Sequence, residues 1–426
     1  MLRKPYQFLL VLFFIILFCA PIYLLFRGHP SLQISLIEDR VLGLPEKSYP
    51  TLKIAIEYIQ QGRLDLAFDL VWKLYTEGAL QKKVDLAATD LFPLRMSIIL
   101  FSKAMDRTII ELSYQFTGDS VIPADMTSGL FIMLDEKVLI YPPATLDKND
   151  EIYIQQKLGN YRELSTSFPE VNFYIYYIEA LEFSPYNPLN KYYPKADKGQ
   201  AFEDFIENLP ETISVEMLSL ESLEEHLQNF YRTDHHWNTN GILKGYDEIY
   251  DLLAEKYPNI PDKLLPTEMV TFEDIQFQGT FDRQTLYPIP GDTFTGFNAD
   301  FPSCKVKEDG VEGQYNSRDK YLKGEYSTLP YVSHYGLYFG TQKGMIEFDC
   351  EVNADRNLLI IGDSYARPLV SLLAAQYKHT YFVDLRQNKD FTLSGFLRQY
   401  PVKDILFVGG PNVIFLDADQ WNVKIN

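Results

Sequence analysis

Asp234-His235-His236-Trp237 and, far downstream, Gly362-Asp363-Ser364 together supply a carboxylate, an imidazole and a hydroxyl. A serine hydroxyl is a poor nucleophile at neutral pH. It attacks a carbonyl carbon once an imidazole takes its proton and a carboxylate holds that imidazole in the right tautomer. The three residue types therefore point to acyl chemistry through a serine ester. Asp234 and His236 are two apart, so they face the same way on an extended segment and about 200° apart on a helix. Cooperation requires the stretch to be extended or looped. Asn238-Thr239-Asn240-Gly241 allows this, being rich in turn and cap residues, and Ile242 to Tyr257 then has the spacing of an amphipathic helix.

Three uses of Asp234-His235-His236-Trp237 compete. One is an orienter and base, one a metal site on Asp234, His235 and His236, and one a structural polar cluster beside a buried Trp. Metal sites usually take further ligands from elsewhere. His29, His226, His334 and His379 are isolated, and no Cys pair lies near them in sequence.

The elements that must position the serine are legible nearby. Asn357 to Ile361 is an apolar run of the kind buried on both faces in a parallel sheet. Ala366 to Tyr377 predicts a helix with Pro368 in its first turn. Ser364 then sits at a strand-to-helix junction on the carboxyl edge of a sheet, where open α/β sheets bind ligands and free amides can meet an oxyanion. The alternative is that Asp363 and Ser364 cap the helix. A second Gly-Asp-Ser, Gly118-Asp119-Ser120, follows Leu112 to Thr117, which could be a strand. What comes next opens no helix, and Pro123 biases Ile122 to an extended conformation, so this copy reads as a turn.

Further strands are expected at Val171–Tyr177, Ile213–Val215, Thr380–Leu385 and Asp404–Val408, with a helix after Ile213–Val215. Pro258 to Gly344 is rich in Gly, Pro, Asn, Asp and Tyr and too long for a bare loop. It predicts an irregular or β-rich insertion lining a cleft, with Gly279 in a turn. Pro50 to Ala104 predicts a helical hairpin, its first helix ending at Gly62. A single such pair is too few for a solenoid.

Tyr-Arg-Thr-Asp-His-His-Trp-Asn-Thr-Asn-Gly (231–241) followed by Ile-Ile-Gly-Asp-Ser-Tyr (360–365) resembles the DHHW proteins, relatives of the alginate O-acetyltransferases in the SGNH-hydrolase-like group. The resemblance runs roughly from Gly129 to the C-terminus and is strongest at the two motifs. It implies an α/β fold, a circularly permuted SGNH-like parallel sheet flanked by helices, with Asp-His before Ser in the chain. It implies Ser364 as nucleophile, His236 as base and Asp234 as orienter; His235 and Trp237 receive no step. Asn412, after the Asp404–Val408 strand, resembles the family's oxyanion Asn, with Pro411 before it as a departure and an ordinary turn Asn as the alternative. Gly362 is grouped with Asn412 on the oxyanion side, and the family's separate oxyanion glycine has no clear counterpart. Arg386, at the end of Thr380–Leu385, has two open uses, a substrate contact or a structural ion pair.

Tyr6 to Phe26 contains no charged residue. Its roughly 31 Å of helix is enough to cross a hydrocarbon core. Arg3 and Lys4 precede it and favour a cytoplasmic N-terminus, with Arg27 weakening the asymmetry. No cleavage site is evident, so an uncleaved signal anchor is expected, with the rest of the chain extracytoplasmic at the cell membrane. The expected division is a tail and transmembrane anchor (1–30), a helical membrane-proximal region (31–128) and a catalytic domain (129–426). A net charge of −19 and a pI near 4.8 argue against nucleic acid as a partner, because phosphate binding needs a basic footprint. Thirty Tyr could stack on sugar rings or fill strand positions. Cys304 and Cys350 could pair in an oxidising exterior, although sequence does not fix their distance.

These readings converge on an extracytoplasmic O-acyltransferase acting on hydroxyls of a cell-surface or secreted glycan, needing no cofactor. Because acetyl-CoA is cytoplasmic, the resemblance also implies a membrane-bound O-acyltransferase partner. An esterase or deacetylase with the same three residues, and a non-catalytic glycan-binding subunit, are the alternatives.

Overall fold

In the computed structural model, the described residues are 33–35, 37, 40–42, 57–76 and 95–426, apart from 219, 314–327 and 341. The chain forms two compact units, divided between Asp106 and Arg107. In the first, Gln33–Ser35 pairs antiparallel with Arg40–Leu42, and a helix spans Leu64–Thr76 after Gly62, whose φ of 75° ends the preceding turn. The expected anchor, Tyr6–Phe26, lies outside the described residues. Among the described residues no helix is long and apolar enough to cross a membrane.

After the end of the helix Arg95–Tyr114, the second unit holds three short antiparallel strands, β1 (Val121–Pro123), β2 (Phe131–Met133) and β3 (Val138–Ile140). Then come α1 (Lys148–Ser167), β4 (Asn172–Tyr177), α2 (Gln200–Glu207), β5 (Ile213–Met217), α3 (Leu223–Asn229) and α4 (Thr239–Lys256). The segment between the motifs holds β6 (Pro266–Phe277), α5 (Thr280–Thr285), β7 (Asp292–Ala299), β8 (Cys304–Glu308), β9 (Val311–Glu312) and α6 (His334–Phe339). The chain ends with β10 (Met345–Cys350), β11 (Asn357–Gly362), α7 (Arg367–Ala374), β12 (His379–Val383), α8 (Leu393–Gln399), β13 (Asp404–Gly409) and two single turns, α9 (Pro411–Ile414) and α10 (Ala418–Trp421).

Eight strands make one sheet in the order β9-β8-β10-β12-β11-β13-β4-β5. The block β12-β11-β13-β4-β5 is parallel, and β10, β8 and β9 extend it antiparallel. The two strands at the far end of the parallel block, β4 and β5, come first in the chain. Side chains alternate across this sheet. Leu358 and Ile360 of β11 share one core with Tyr174, Tyr176 and with Leu369, Val370 and Leu373 of α7. Leu359 and Ile361 share the other with Phe173, Ile175, Leu158 and Tyr161 of α1 and Phe396 of α8. A strand buried on both faces has no polar side, which is why β11 and β13 are continuous apolar runs after their first residues, Asn357 and Asp404.

The connection from β11 through α7 runs to β12, on one side of β11. The next, through α8, runs to β13, on the other side and over the opposite face. The strand order reverses there, at the carboxyl ends of β11 and β13, the position where open α/β sheets bind ligands. Cys304 and Cys350, directly paired on β8 and β10, form a disulfide with Cα atoms 4.1 Å apart.

One element differs from its local sequence pattern. Leu112 to Tyr114 is the end of a helix, Arg95–Tyr114, not the start of a strand. Extending an existing helix gains a backbone bond per residue, which overrides the β preference of a few side chains.

Candidate active site

The loop that carries the histidines is closed at its base. Phe230 and Trp237 form an antiparallel bridge, and the Tyr231 amide donates to the His236 carbonyl at 3.1 Å. Trp237 is fully buried and seats the loop on α4. It fits because Gly245 stands opposite: a Cβ there would lie 2.5 Å from the indole Cζ3. Asp292 of β7 pins the middle of the loop, with one carboxylate oxygen accepting from the Thr233 amide at 2.9 Å and from its hydroxyl at 2.6 Å.

Within this loop Asp234 and His236 meet. His236 Nδ1 lies 2.5 Å from Asp234 Oδ1, and His236 Nε2 lies 2.7 Å from Ser364 Oγ. A carboxylate only accepts, so Nδ1 carries the proton and donates it to Asp234. Nε2 is then the acceptor for the Ser364 hydroxyl. Asp234 Oδ1 also accepts from the His236 amide at 3.0 Å, and Oδ2 from the Thr280 amide at 2.6 Å. Burial alone would raise the Asp234 carboxyl. The imidazoles of His235 and His236 and the donors from His236 and Thr280 outweigh it and hold the group well below the usual carboxylate range. His235 is pushed down to about 4, first by burial and then by His236, against the attraction of Asp234.

The serine turn is built by β11 and α7. Asp363 Oδ1 accepts from the Tyr365 amide at 2.9 Å, and burial raises the Asp363 carboxyl. The N-cap of α7 is Ala366 and has no side-chain cap, so Ser364 is directed at His236 and does not serve the helix end. Gly362 is required by close approach: a Cβ there would lie 2.5 Å from the Val408 carbonyl oxygen and 2.7 Å from the Ala366 Cβ. Asn412 stands exposed in α9, just past the end of β13, the strand beside β11. Arg386 closes its fork on Asp384, with contacts of 3.0 and 2.8 Å, and lies 5.2 Å over the Trp421 ring.

Several supports were not visible in the two motifs. Gly279 does more than turn the chain: a Cβ on it would lie 2.3 Å from the Asp234 Cβ, so only glycine lets the Thr280 amide reach the carboxylate. Tyr365 donates to the His235 carbonyl at 2.7 Å, tying the serine turn to the histidine loop. The neighbouring signals Gln278-Gly279-Thr280 and Ser364-Tyr365 were in the sequence, but their partners are far away in the chain. The ligand atoms of Asp234, His235 and His236 all lie within 4.8 Å of one another. Both His236 nitrogens already have partners, however, so a metal would have to displace Asp234 or Ser364.

No protein-family model and no curated protein sequence matches the chain. Among solved structures, Bacillus cereus PatB1 with a sulfonyl adduct is 19% identical, with a TM-score of 0.55, covering 69% of this chain and 97% of that one. A DHHW family protein from Eubacterium siraeum is 16% identical, with a TM-score of 0.51, covering 71% and 97%. The O-acetyltransferase domain of Pseudomonas putida AlgJ matches more remotely, at 11% identity and a TM-score of 0.37, too low to argue from. The structural neighbours of this chain thus include a DHHW family protein, and the fold it shares with that protein and with PatB1 is the mixed α/β one, a central sheet flanked by helices.

Proposed function

We propose that this chain is an O-acyltransferase that moves acetyl groups onto hydroxyls of a cell-surface or secreted glycan, with Ser364 as nucleophile, His236 as base and Asp234 as orienter. The observation that carries the reading is the run of contacts from Asp234 through His236 to Ser364 at the sheet edge where the strand order reverses. The fold shared with PatB1 supports it, and that protein has been solved with a sulfonyl adduct.

In the first half-reaction Ser364 Oγ attacks the donor's acyl carbon while His236 Nε2 takes its proton. Asp234 stabilises the imidazolium without becoming protonated. The tetrahedral oxyanion meets donors at that edge, for which Asn412 is the candidate side chain. The bond to the leaving group breaks, and the leaving group takes the proton from Nε2. In the second half His236 Nε2 takes the proton of a glycan hydroxyl whose oxygen attacks the serine ester; the Oγ–acyl bond breaks, and Ser364 Oγ takes the proton back from Nε2. Because acetyl-CoA is cytoplasmic, the extracytoplasmic reading needs a membrane-bound O-acyltransferase partner that passes the acetyl group outward, with this chain held at the cell membrane by Tyr6–Phe26. The Cys304–Cys350 disulfide supports an oxidising compartment.

The test is intact mass of the full chain after exposure to an activated acetyl ester or a sulfonyl fluoride, beside Ser364→Ala and His236→Ala. One adduct per chain, lost in both variants, is expected. An adduct that persists in Ser364→Ala would remove the nucleophile assignment. Adding oligosaccharide acceptors to the acetylated chain then separates transfer from hydrolysis: acetyl gain on the sugar supports transfer, and loss to water alone supports an esterase.

A further inference from the structure

The His236 imidazole lies between two rings. Tyr335 stacks on it with centroids 4.0 Å apart and planes 20° apart, and His235 lies 3.9 Å away at 36°. Two rings this close cannot share one face, so they cover opposite faces. The Tyr335 hydroxyl also donates to the Ser364 carbonyl at 3.2 Å. One buried side chain thus touches both the ring of the proposed base and the backbone of the proposed nucleophile, and it comes from neither motif.

Tyr335 is itself held from behind. It packs on Phe339 of the same helix at 4.9 Å and edge-on to Tyr231. Its helix, α6, is docked on β7 by Tyr338, whose hydroxyl donates to the Phe297 carbonyl at 3.2 Å and accepts from the Phe297 amide at 3.1 Å. Gly296 leaves room for this contact: a Cβ there would lie 2.3 Å from the Tyr338 hydroxyl oxygen. The segment between the two motifs therefore delivers a fixed aromatic plate to the face of His236.

We infer that Tyr335 is a positioning residue for the His236–Ser364 pair, its ring fixing the imidazole plane and its hydroxyl fixing the serine turn. This rests on the serine-nucleophile reading above. An imidazole held only at Nδ1 still pivots about that bond, and Nε2 then swings away from Oγ. A misplacement of about 1 Å costs on the order of a hundredfold in rate. The ring face also favours the imidazolium formed when Nε2 takes the serine proton.

The full chain is compared with Tyr335→Phe, Tyr335→Leu and Tyr335→Met, the last filling similar volume without a ring should Leu fail to fold. Three quantities are read: the rate of Ser364 modification by phenylmethylsulfonyl fluoride, kcat and KM on an aryl acetate, and the NMR signal of the His236 Nδ1 proton. In Leu and Met, modification is expected to slow about 10- to 100-fold and kcat to fall with it while KM holds within about twofold. The Nδ1 proton signal is expected to shift or broaden. Tyr335→Phe, which keeps the ring, is expected to recover most of the loss. A residue that only filled the core would lower the melting temperature without changing the rate per folded molecule. Folded Leu and Met variants with the wild-type modification rate and Nδ1 signal would overturn the inference. Should the wild type take no sulfonyl group at Ser364, the functional reading falls, and the Nδ1 comparison still decides the role of Tyr335.

Discussion

Gly118-Asp119-Ser120 and Gly362-Asp363-Ser364 are the same three residues in two physical settings. In the first, Gly118 has a φ of 72°, Ser120 is exposed, and Asp119 accepts from the Tyr192 hydroxyl at 3.1 Å. Among the described residues, no hydrogen bond joins an imidazole to that serine. In the second, Gly362 is the last residue of a strand buried from residue 358 onward, and the serine after Asp363 is 2.7 Å from a histidine nitrogen. The first glycine is needed for its backbone angle and the second for the space it leaves. The same tripeptide therefore meets an imidazole only where a strand ends against a neighbour and a second loop arrives opposite.

The largest separation between the two copies is expected from serine removal. Ser364→Ala should lower kcat/KM on an aryl acetate by at least about 10⁴-fold, while Ser120→Ala should leave it within about twofold. Equal losses would erase the distinction.

The glycines sharpen it. Gly362→Ala must move the Val408 carbonyl or the start of α7, and with it Ser364. A loss on the order of a hundredfold in kcat is expected. Gly118→Ala meets no atom within 4 Å and suffers only from its left-handed backbone. Its expected cost is about 1–2 kcal/mol of stability, seen in chemical denaturation, with activity per folded molecule unchanged. Gly279→Ala should resemble Gly362→Ala, because it displaces Asp234.

The smallest effect concerns pH. His226 shares a cavity wall with Asp234 and His235 and is pushed down to about 4 by burial. Unfolded, it titrates near about 6.5. Between those values the unfolded chain binds the proton and the folded one does not, so stability falls as pH drops from about 6.5 to 4. Glu179 and Asp282, raised to about 7 by burial, act in the opposite sense, gaining stability on acidification. Comparing melting curves of His226→Phe with the wild type isolates the histidine: the variant should lose about 1–3 kcal/mol less across that window. Parallel curves would mean the His226 environment is wetter than its burial suggests.

Much of the architecture was legible because it is written in local periodicity. Residues 173–177, 358–361 and 405–408 are apolar because both faces are covered, and α4 buries Ile242, Tyr246, Ile249 and Leu253 at helical spacing. Leu112 to Tyr114 misled because a short stretch does not reveal that a long helix is already under way.

The sequence by itself determined the residue types of the site, the extended or looped state their spacing demands, and the strand-turn-helix around Ser364. Tertiary structure alone decided that His236 and Ser364 meet, that Gly279 and Thr280 complete the cradle of Asp234, that Tyr335 covers the imidazole, and that Cys304 pairs with Cys350. The reason is the range of the forces involved. Strand and helix patterns follow from which neighbours a few residues away must be buried. Hydrogen bonds and ring contacts between distant segments depend on where the sheet order brings their ends, which no window of sequence contains.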